Sequence, residues 1–227
     1  MQGLAIFDLD GTLVDTAPDL VDTCNVVLSR RGVPTIQPER LRVHIGMGAK
    51  AMIAASLQES GVTLGDDELE AVHREYLTHY GERIARDSRP FPELLAALDT
   101  IAAADVAAAV CTNKREALAT QLLAELGLLD RFVFVAGFDT FAVSKPDPGH
   151  LLATISAAGG VPDHAVYVGD SRIDRETAQA ARVPFVGLTY GYSDVPMTEL
   201  APDRLLGRGE DVGAAILSLL ATSSQQR

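Results

Sequence analysis

Cysteine is scarce in this chain: Cys24 and Cys111 are the two among 227 residues. That is too few, and too widely spaced, for a disulfide framework or a thiolate metal site. Two reduced, buried thiols are expected. Tryptophan is absent and aromatics make up 5%, which leaves little from which to build a base-stacking platform. No uncharged apolar run approaches the ~18 residues of a membrane span, so no membrane partner is expected. The opening MQGLAIFDLDG has no basic stretch ahead of a long apolar one, so no secretory leader is expected and the cytoplasm is the expected location. Bases are in deficit, with 19 Lys+Arg against 31 Asp+Glu and a net charge of −12. A nucleic-acid partner needs a basic face and is not expected either. A small anionic ligand is not excluded, because a pocket sets its own potential and a bound cation can invert it.

What is present is a core. Hydrophobic residues reach 47%, and the length suits one ordinary domain or a core domain with a smaller insertion. Short apolar runs at Gly3–Phe7, Val106–Cys111, Phe132–Ala136, Ala165–Val168 and Pro184–Leu188 read as strands. Helical patterns such as Arg115–Leu126, Gly149–Ala158 and Ile173–Ala181 lie between most of them. This rhythm predicts an α/β fold, a parallel sheet covered by helices.

One interval breaks the rhythm. About 98 residues separate the first two strands, whereas a crossover needs only a dozen or so plus its helix. The interval reads as helices over Asp19–Arg31, Glu39–His44, Lys50–Ser60, Asp66–Arg86 and Pro92–Ala104, with no convincing strand. The last is expected to be the crossover helix. The rest, 16–89, reads as an inserted helical subdomain, leaving 1–15 and 90–227 as the core. Thr16-Ala17-Pro18 and Ser88-Arg89-Pro90-Phe91-Pro92 mark its edges as breakers, with hinges expected near Asp15–Pro18 and Ser88–Pro92. The polar tail Thr222–Arg227 is expected to fray.

Polar groups follow four of the strands. Asp8-Leu9-Asp10-Gly11-Thr12 follows the first. Asp8 and Asp10 point the same way in extended geometry, at the strand end where open α/β sheets place ligands, and Gly11 permits a tight turn. The second strand ends in Val110-Cys111-Thr112-Asn113-Lys114, where a hydroxyl and an amide meet the start of a helix. Ser144-Lys145-Pro146-Asp147-Pro148 follows the third, with Pro146 restricting the backbone around Lys145. Val168-Gly169-Asp170-Ser171-Arg172-Ile173-Asp174 ends the fourth, and Asp170 and Asp174 share a face if a helix begins there. Taken singly, these segments also read as an acidic turn, a helix cap, a solvated loop lysine and a capping pair. Taken in order, they bring four carboxylates, a hydroxyl and a lysine to one sheet edge. Asp8, Asp10, Asp170 and Asp174 would repel one another without a cation, and hard oxygen ligands imply Mg²⁺. The set suggests metal-assisted phosphoryl chemistry with a carboxylate nucleophile.

The four segments resemble the four signature motifs of the haloacid dehalogenase-like hydrolase superfamily, over the chain from its N-terminus to about Ser193. FDLDGTLVDTAPDL, VGDSR and LTYGYSD further resemble its phosphoglycolate phosphatase subgroup. The resemblance implies a Rossmann-like core with an α-helical cap at 16–89 and a phosphatase acting on a small phosphorylated metabolite. It implies Asp8 as nucleophile, Asp10 as general acid and then base, Thr112 as a phosphoryl-oxygen ligand and Lys145 as its counter-charge. It also implies a Mg²⁺ site at Asp8, the Asp10 main-chain carbonyl and Asp170, with Asp174 orienting metal water or Lys145. Leu9, Asn113, Gly48 and Lys50 are the expected substrate-binding residues. Lys50 ends the glycine-bearing cap loop Ile45–Lys50 that opens a helix and is expected to reach a substrate carboxylate or second anionic group. His44 is expected to be solvated or partly buried, His73 and His79 to be solvated on a charged helix, and Arg172 to lie near Asp170. Dehalogenases and phosphonatases of the superfamily lack the acid at the position of Asp10, so phosphate-ester chemistry is favoured. A β-phosphoglucomutase-like isomerase keeps it and stands as the alternative, as do sugar phosphates, nucleotides or specialised metabolites as substrates. Pro90-Phe91-Pro92-Glu93 departs from the pattern, since relatives commonly have Pro-Gly after the aromatic; a different hinge turn is expected. A monomer or a homodimer is expected.

Overall fold

The structure is a computed structural model and describes residues 3–225. Residues 1–2 and 226–227, at the ends of the expected core segments and tail, lie outside the described residues. Six strands form one parallel sheet: β1 (Leu4–Phe7), β4 (Ala107–Cys111), β5 (Phe134–Ala136), β6 (Ala165–Gly169), β7 (Phe185–Leu188) and β8 (Arg204–Leu206). Their order is β5-β4-β1-β6-β7-β8. The chain therefore builds outward on one side of β1, then returns to build on the other. β1 shows why the sheet is doubly covered. Leu4 and Ile6 enter one apolar cluster and Ala5 and Phe7 the other, as strand alternation requires. Helices α5 (Pro92–Ala103) and α9 (Val212–Gln225) pack together on one face, and α7 (Pro148–Ala157) and α8 (Arg172–Ala181) on the other. α6 (Glu116–Glu125) links β4 to β5. The α/β parallel-sheet expectation holds.

Between β1 and α5 stand four helices: α1 (Ala17–Ser29), α2 (Pro38–Arg42), α3 (Ala49–Glu59) and α4 (Asp66–Gly81). The interval is not free of strands. Val14–Asp15 (β2) and Arg89–Pro90 (β3) pair antiparallel, Val14 with Pro90 and Asp15 with Arg89. Two-residue strands are too short to show an alternation in sequence. Phe91 N adds a hydrogen bond to the Leu13 carbonyl at 3.0 Å. The chain thus leaves and re-enters the sheet domain through one paired neck.

The carboxylate of Asp19 locks this neck. It accepts from the main-chain N of Asp87 and Ser88 and from the Ser88 hydroxyl at 2.6–3.0 Å. Asp19 and Ser88 are both buried. The unusual Pro90-Phe91-Pro92-Glu93 turn needs no glycine: Phe91 is extended (φ −71°, ψ 127°) and Pro92 starts α5, where its fixed φ suits the first helical position. The Arg208 guanidinium stacks 4.4 Å from both the Phe91 and Tyr190 rings and holds this turn against the core.

Three expectations shift. α4 ends at Gly81 rather than Arg86. β8 and α9 had no assignment in the sequence. The tail is helical to Gln225 rather than frayed from Thr222. Val212, Ile216, Leu219 and Leu220 of α9 are buried, and that packing propagates the last helix toward the terminus.

Candidate active site

Register brings the strand ends together. Phe7 pairs with Val110 on one side and with Val168 on the other. The residues that follow, Asp8, Thr112 and Asp170, therefore emerge along one sheet edge. The edge lies where the order reverses about β1, the usual ligand position in open α/β sheets. Asp8 N donates to the Val168 carbonyl at 2.9 Å and so continues the ladder. Lys145 arrives from the loop ahead of α7. The Asn113 amide donates to its carbonyl at 3.2 Å and ties the two segments together.

Lys145 is 5% exposed, and its ammonium bridges two acids. Nζ lies 3.0 Å from Asp8 Oδ1 and 2.6 Å from Asp174 Oδ1. Burial alone would lower its pKa, but the charges of Asp174 and Asp8 overcome that and hold it above the ordinary lysine value. Asp174 is saturated. Its Oδ1 also accepts from the Tyr167 hydroxyl at 2.7 Å, and its Oδ2 from Ser171 N and Oγ. Burial opposes its ionisation, yet the Lys145 charge and these donors win and its pKa falls below the ordinary value. The same residue caps α8 in a reciprocal box with Ser171. Asp174 thus caps α8 and also pairs with the Lys145 ammonium.

Asp170 and Asp8 are in the opposite state. Asp170 accepts from Thr12 Oγ1 at 2.5 Å and from Tyr192 N at 2.7 Å. Burial, then the Asp174 and Asp8 charges, still push its pKa well above the ordinary value. Burial raises Asp8 to about 7, with Asp174 adding to the rise and Lys145 opposing it. Ligand atoms of Asp8, Asp170 and Asp174 lie within 4.8 Å of one another. Three buried carboxylates thus face one lysine, an arrangement of hard oxygen donors that could hold a hard cation. Because Asp174 has its oxygens occupied, Asp8 and Asp170 are the carboxylates with room for it. Gly11 (φ +85°) makes the close approach to Asp170 feasible: a Cβ there would fall 2.6 Å from Asp170 Oδ2.

Asp10 does not join this carboxylate cluster. Its two oxygens face Lys114 Nζ at 2.9 and 3.1 Å, which leaves its main-chain carbonyl for the part the resemblance implies. Thr112 is buried and its Oγ1 accepts from Lys114 N at 3.1 Å. Leu9 is fully buried in the core and does not line the cavity, and its carbonyl accepts from the main-chain N of Thr12, Leu13 and Val14. A cavity of about 390 Å³ lies over these groups and is closed from the helical side by the Ile45–Lys50 loop and by Tyr76 and Tyr80 of α4. Gly48 (φ +90°) lines it and starts α3. Lys50 sits at the rim with its side chain 55% exposed, paired with Glu70. His73 lines the cavity too and is half-buried rather than solvated. His44 and His79 are likewise half-buried. Arg172 turns to Asp194 and Glu176 instead of Asp170. Both cysteines are free and buried, and burial pushes their thiols up to about 11 and about 12.

Sequence reasoning missed Lys114, Tyr80, Thr12 and Tyr192. Lys114 and Thr12 stood inside quoted motifs, one residue past the positions given roles. Tyr192 stood inside the quoted LTYGYSD segment without a role, and Tyr80 carries no local signal, because α4 delivers it from far along the chain.

A family model described as haloacid dehalogenase-like hydrolase matches residues 5–188. A phosphoglycolate phosphatase of Agrobacterium fabrum is 43% identical over 203 residues, covering 89% of this chain and 87% of that protein. One from Caulobacter vibrioides is 37% identical over 216 residues, covering 95% and 91%. The crystal structure of a predicted phosphoglycolate phosphatase from Haemophilus somnus 129PT superposes with a TM-score of 0.86 at 30% identity, covering 96% of this chain and 98% of that one.

Proposed function

Because the chain belongs to the haloacid dehalogenase-like hydrolases, we propose that it is a Mg²⁺-dependent phosphatase for a small phosphomonoester of the phosphoglycolate kind. The observation that carries this reading is the buried Asp8 carboxylate, held at the cavity floor by Lys145 Nζ at 3.0 Å and bordered by Asp170. The names of the relatives support the substrate kind.

Asp8 attacks phosphorus while the bond to the ester oxygen breaks, leaving a phosphoaspartyl group on Asp8. Asp10 gives its proton to the departing oxygen. In the second half it takes a proton from the water that attacks the same phosphorus, releasing phosphate and restoring Asp8. Thr112 Oγ1 and the Asn113 amide bind phosphoryl oxygens, and Lys145 neutralises their charge. Asp174 and Tyr167 fix where that charge stands. Asp8, the Asp10 carbonyl and Asp170 would hold Mg²⁺, which supplies charge neutralisation at the transferring group. In a loose transition state, positioning and electrostatics are most of the catalysis. We assign 16–89 as a cap over the core segments 1–15 and 90–227, opening at the neck to admit substrate and closing to exclude water.

Phosphate release from 2-phosphoglycolate and p-nitrophenyl phosphate should require Mg²⁺ and stop on EDTA. Asp8→Asn should abolish it; unchanged turnover would overturn the mechanism. A sugar phosphate isomerised without phosphate release would replace this reading with a mutase.

A further inference from the structure

We propose that Lys114 is the specificity-determining residue of this site: it binds a second negative charge carried by the leaving group, within a few bonds of the ester oxygen. The inference rests on the phosphatase reading and adds the chemistry of the group that departs.

Lysine is seldom buried unless paired; the Lys114 side chain is 5% exposed, and Asp10 is its partner. It lines the cavity with its ammonium on both Asp10 oxygens and 4.5 Å from the Tyr80 ring centroid. The other lysines and the arginine of the cavity wall are committed or peripheral. Lys145 bridges Asp8 and Asp174, Lys50 pairs with Glu70 at the rim, and the Arg115 side chain is 51% exposed. A second observation marks the place as polar. The Tyr80 hydroxyl is buried and has no hydrogen-bond partner among the described residues. The Lys114 ammonium stands over the ring of this same tyrosine, and a lone buried hydroxyl calls for a partner.

Position selects the chemistry. Asp10 must reach the ester oxygen within hydrogen-bond range, and Lys114 Nζ is one hydrogen bond from Asp10. Nζ therefore lies within about 6 Å of the ester oxygen. A carboxylate one or two carbons from that oxygen falls in reach, and one on a longer chain overshoots. When Lys114 exchanges Asp10 for the substrate anion, the Asp10 carboxyl is at liberty to take up a proton from water and present it to the ester oxygen. A neutral leaving group offers no such exchange.

The test compares kcat/KM, with Mg²⁺ present, for 2-phosphoglycolate and ethyl phosphate, with p-nitrophenyl phosphate as the reference. The wild type should prefer the anionic ester. Lys114→Met should shrink that preference about tenfold to a hundredfold, the scale of one charged hydrogen bond, and Lys114→Arg should recover part of it. In the wild type alone, the advantage should fall as methylenes are added between ester oxygen and carboxylate, a readout that holds even if Lys114→Met fails to fold. A wild type indifferent to the charge, a Lys114→Met preference equal to the wild type's, or an advantage independent of chain length would overturn the proposal while p-nitrophenyl phosphate is still cleaved. Release of phosphate from none of these esters would instead sink the phosphatase reading, and this inference with it.

Discussion

Removing the Asp19 carboxylate should loosen the neck that joins the helical insertion to the sheet. In Asp19→Ala, the Ser88 amide and hydroxyl lose their acceptor in a fully buried setting, and the Asp87 amide loses its own at the edge. Each buried unsatisfied donor costs about 1–3 kcal/mol, and bonds to a charged acceptor stand at the upper end. Allowing for partial relaxation, the loss is about 3–5 kcal/mol, which for a chain of this size lowers Tm by about 10–15 °C. Asp19 also sits in the first turn of α1, where a carboxylate contributes only about 0.3–1 kcal/mol through the helix dipole. The two effects are therefore separable by size. With no tryptophan in the chain, far-UV circular dichroism under heat and urea is the suitable probe. Ser88→Ala and the double variant complete a cycle, in which a coupling of at least about 1 kcal/mol is expected. A loss below about 1 kcal/mol in Asp19→Ala, with no coupling to Ser88, would show that the clamp does not hold the neck.

Protons and Mg²⁺ should compete for Asp8. Its folded-state value, raised from the ordinary 3.8 to about 7, means that the metal-free folded protein keeps a proton the unfolded chain has lost. That stabilisation is full below about pH 4 and gone above about pH 7. Asp170 acts in the same sense. Asp174, depressed, acts in reverse, its contribution being lost as pH falls through the carboxylate range. Mg²⁺ binding should therefore strengthen from pH 5 to 8 and release protons at pH 6. Calorimetry in buffers of different ionisation heat would refute this if no proton appeared. Gly11→Ala meets a positive φ and Asp170 Oδ2 at 2.6 Å; it should weaken Mg²⁺ affinity and cost about 1–3 kcal/mol of stability, and a fully wild-type titration would count against the packing described. In Tyr192→Phe, the hydroxyl that bonds Asp15 Oδ1 and Ala17 N is lost, at about 1–2 kcal/mol and a few degrees of Tm; an unchanged melting curve would contradict its role at the neck.

The amino-acid sequence determined the elements and the chemistry that are local. Three strand ends carry Asp8, Thr112 and Asp170 because apolar runs stop where those residues begin, Lys145 follows in a proline-marked loop ahead of the next helix, and strand period and helix start are short-range properties. The 98-residue interval announced an insertion for the same reason: too many helical turns for one crossover. Whatever depended on partners distant in the chain was left to the tertiary structure. Asp10 appeared to be one of four clustered acids, but Lys114, 104 residues away, takes its carboxylate. Lys50 appeared to be the cation for a second charge, but a rim position and Glu70 occupy it. Tyr80 and Tyr192 became site residues only because α4 and the segment after β7 fold back over the sheet edge. The charge balance shows the difference most plainly. The sequence counts 31 acids, but which of them must share one lysine without water is decided by burial, and burial exists only once the chain has folded.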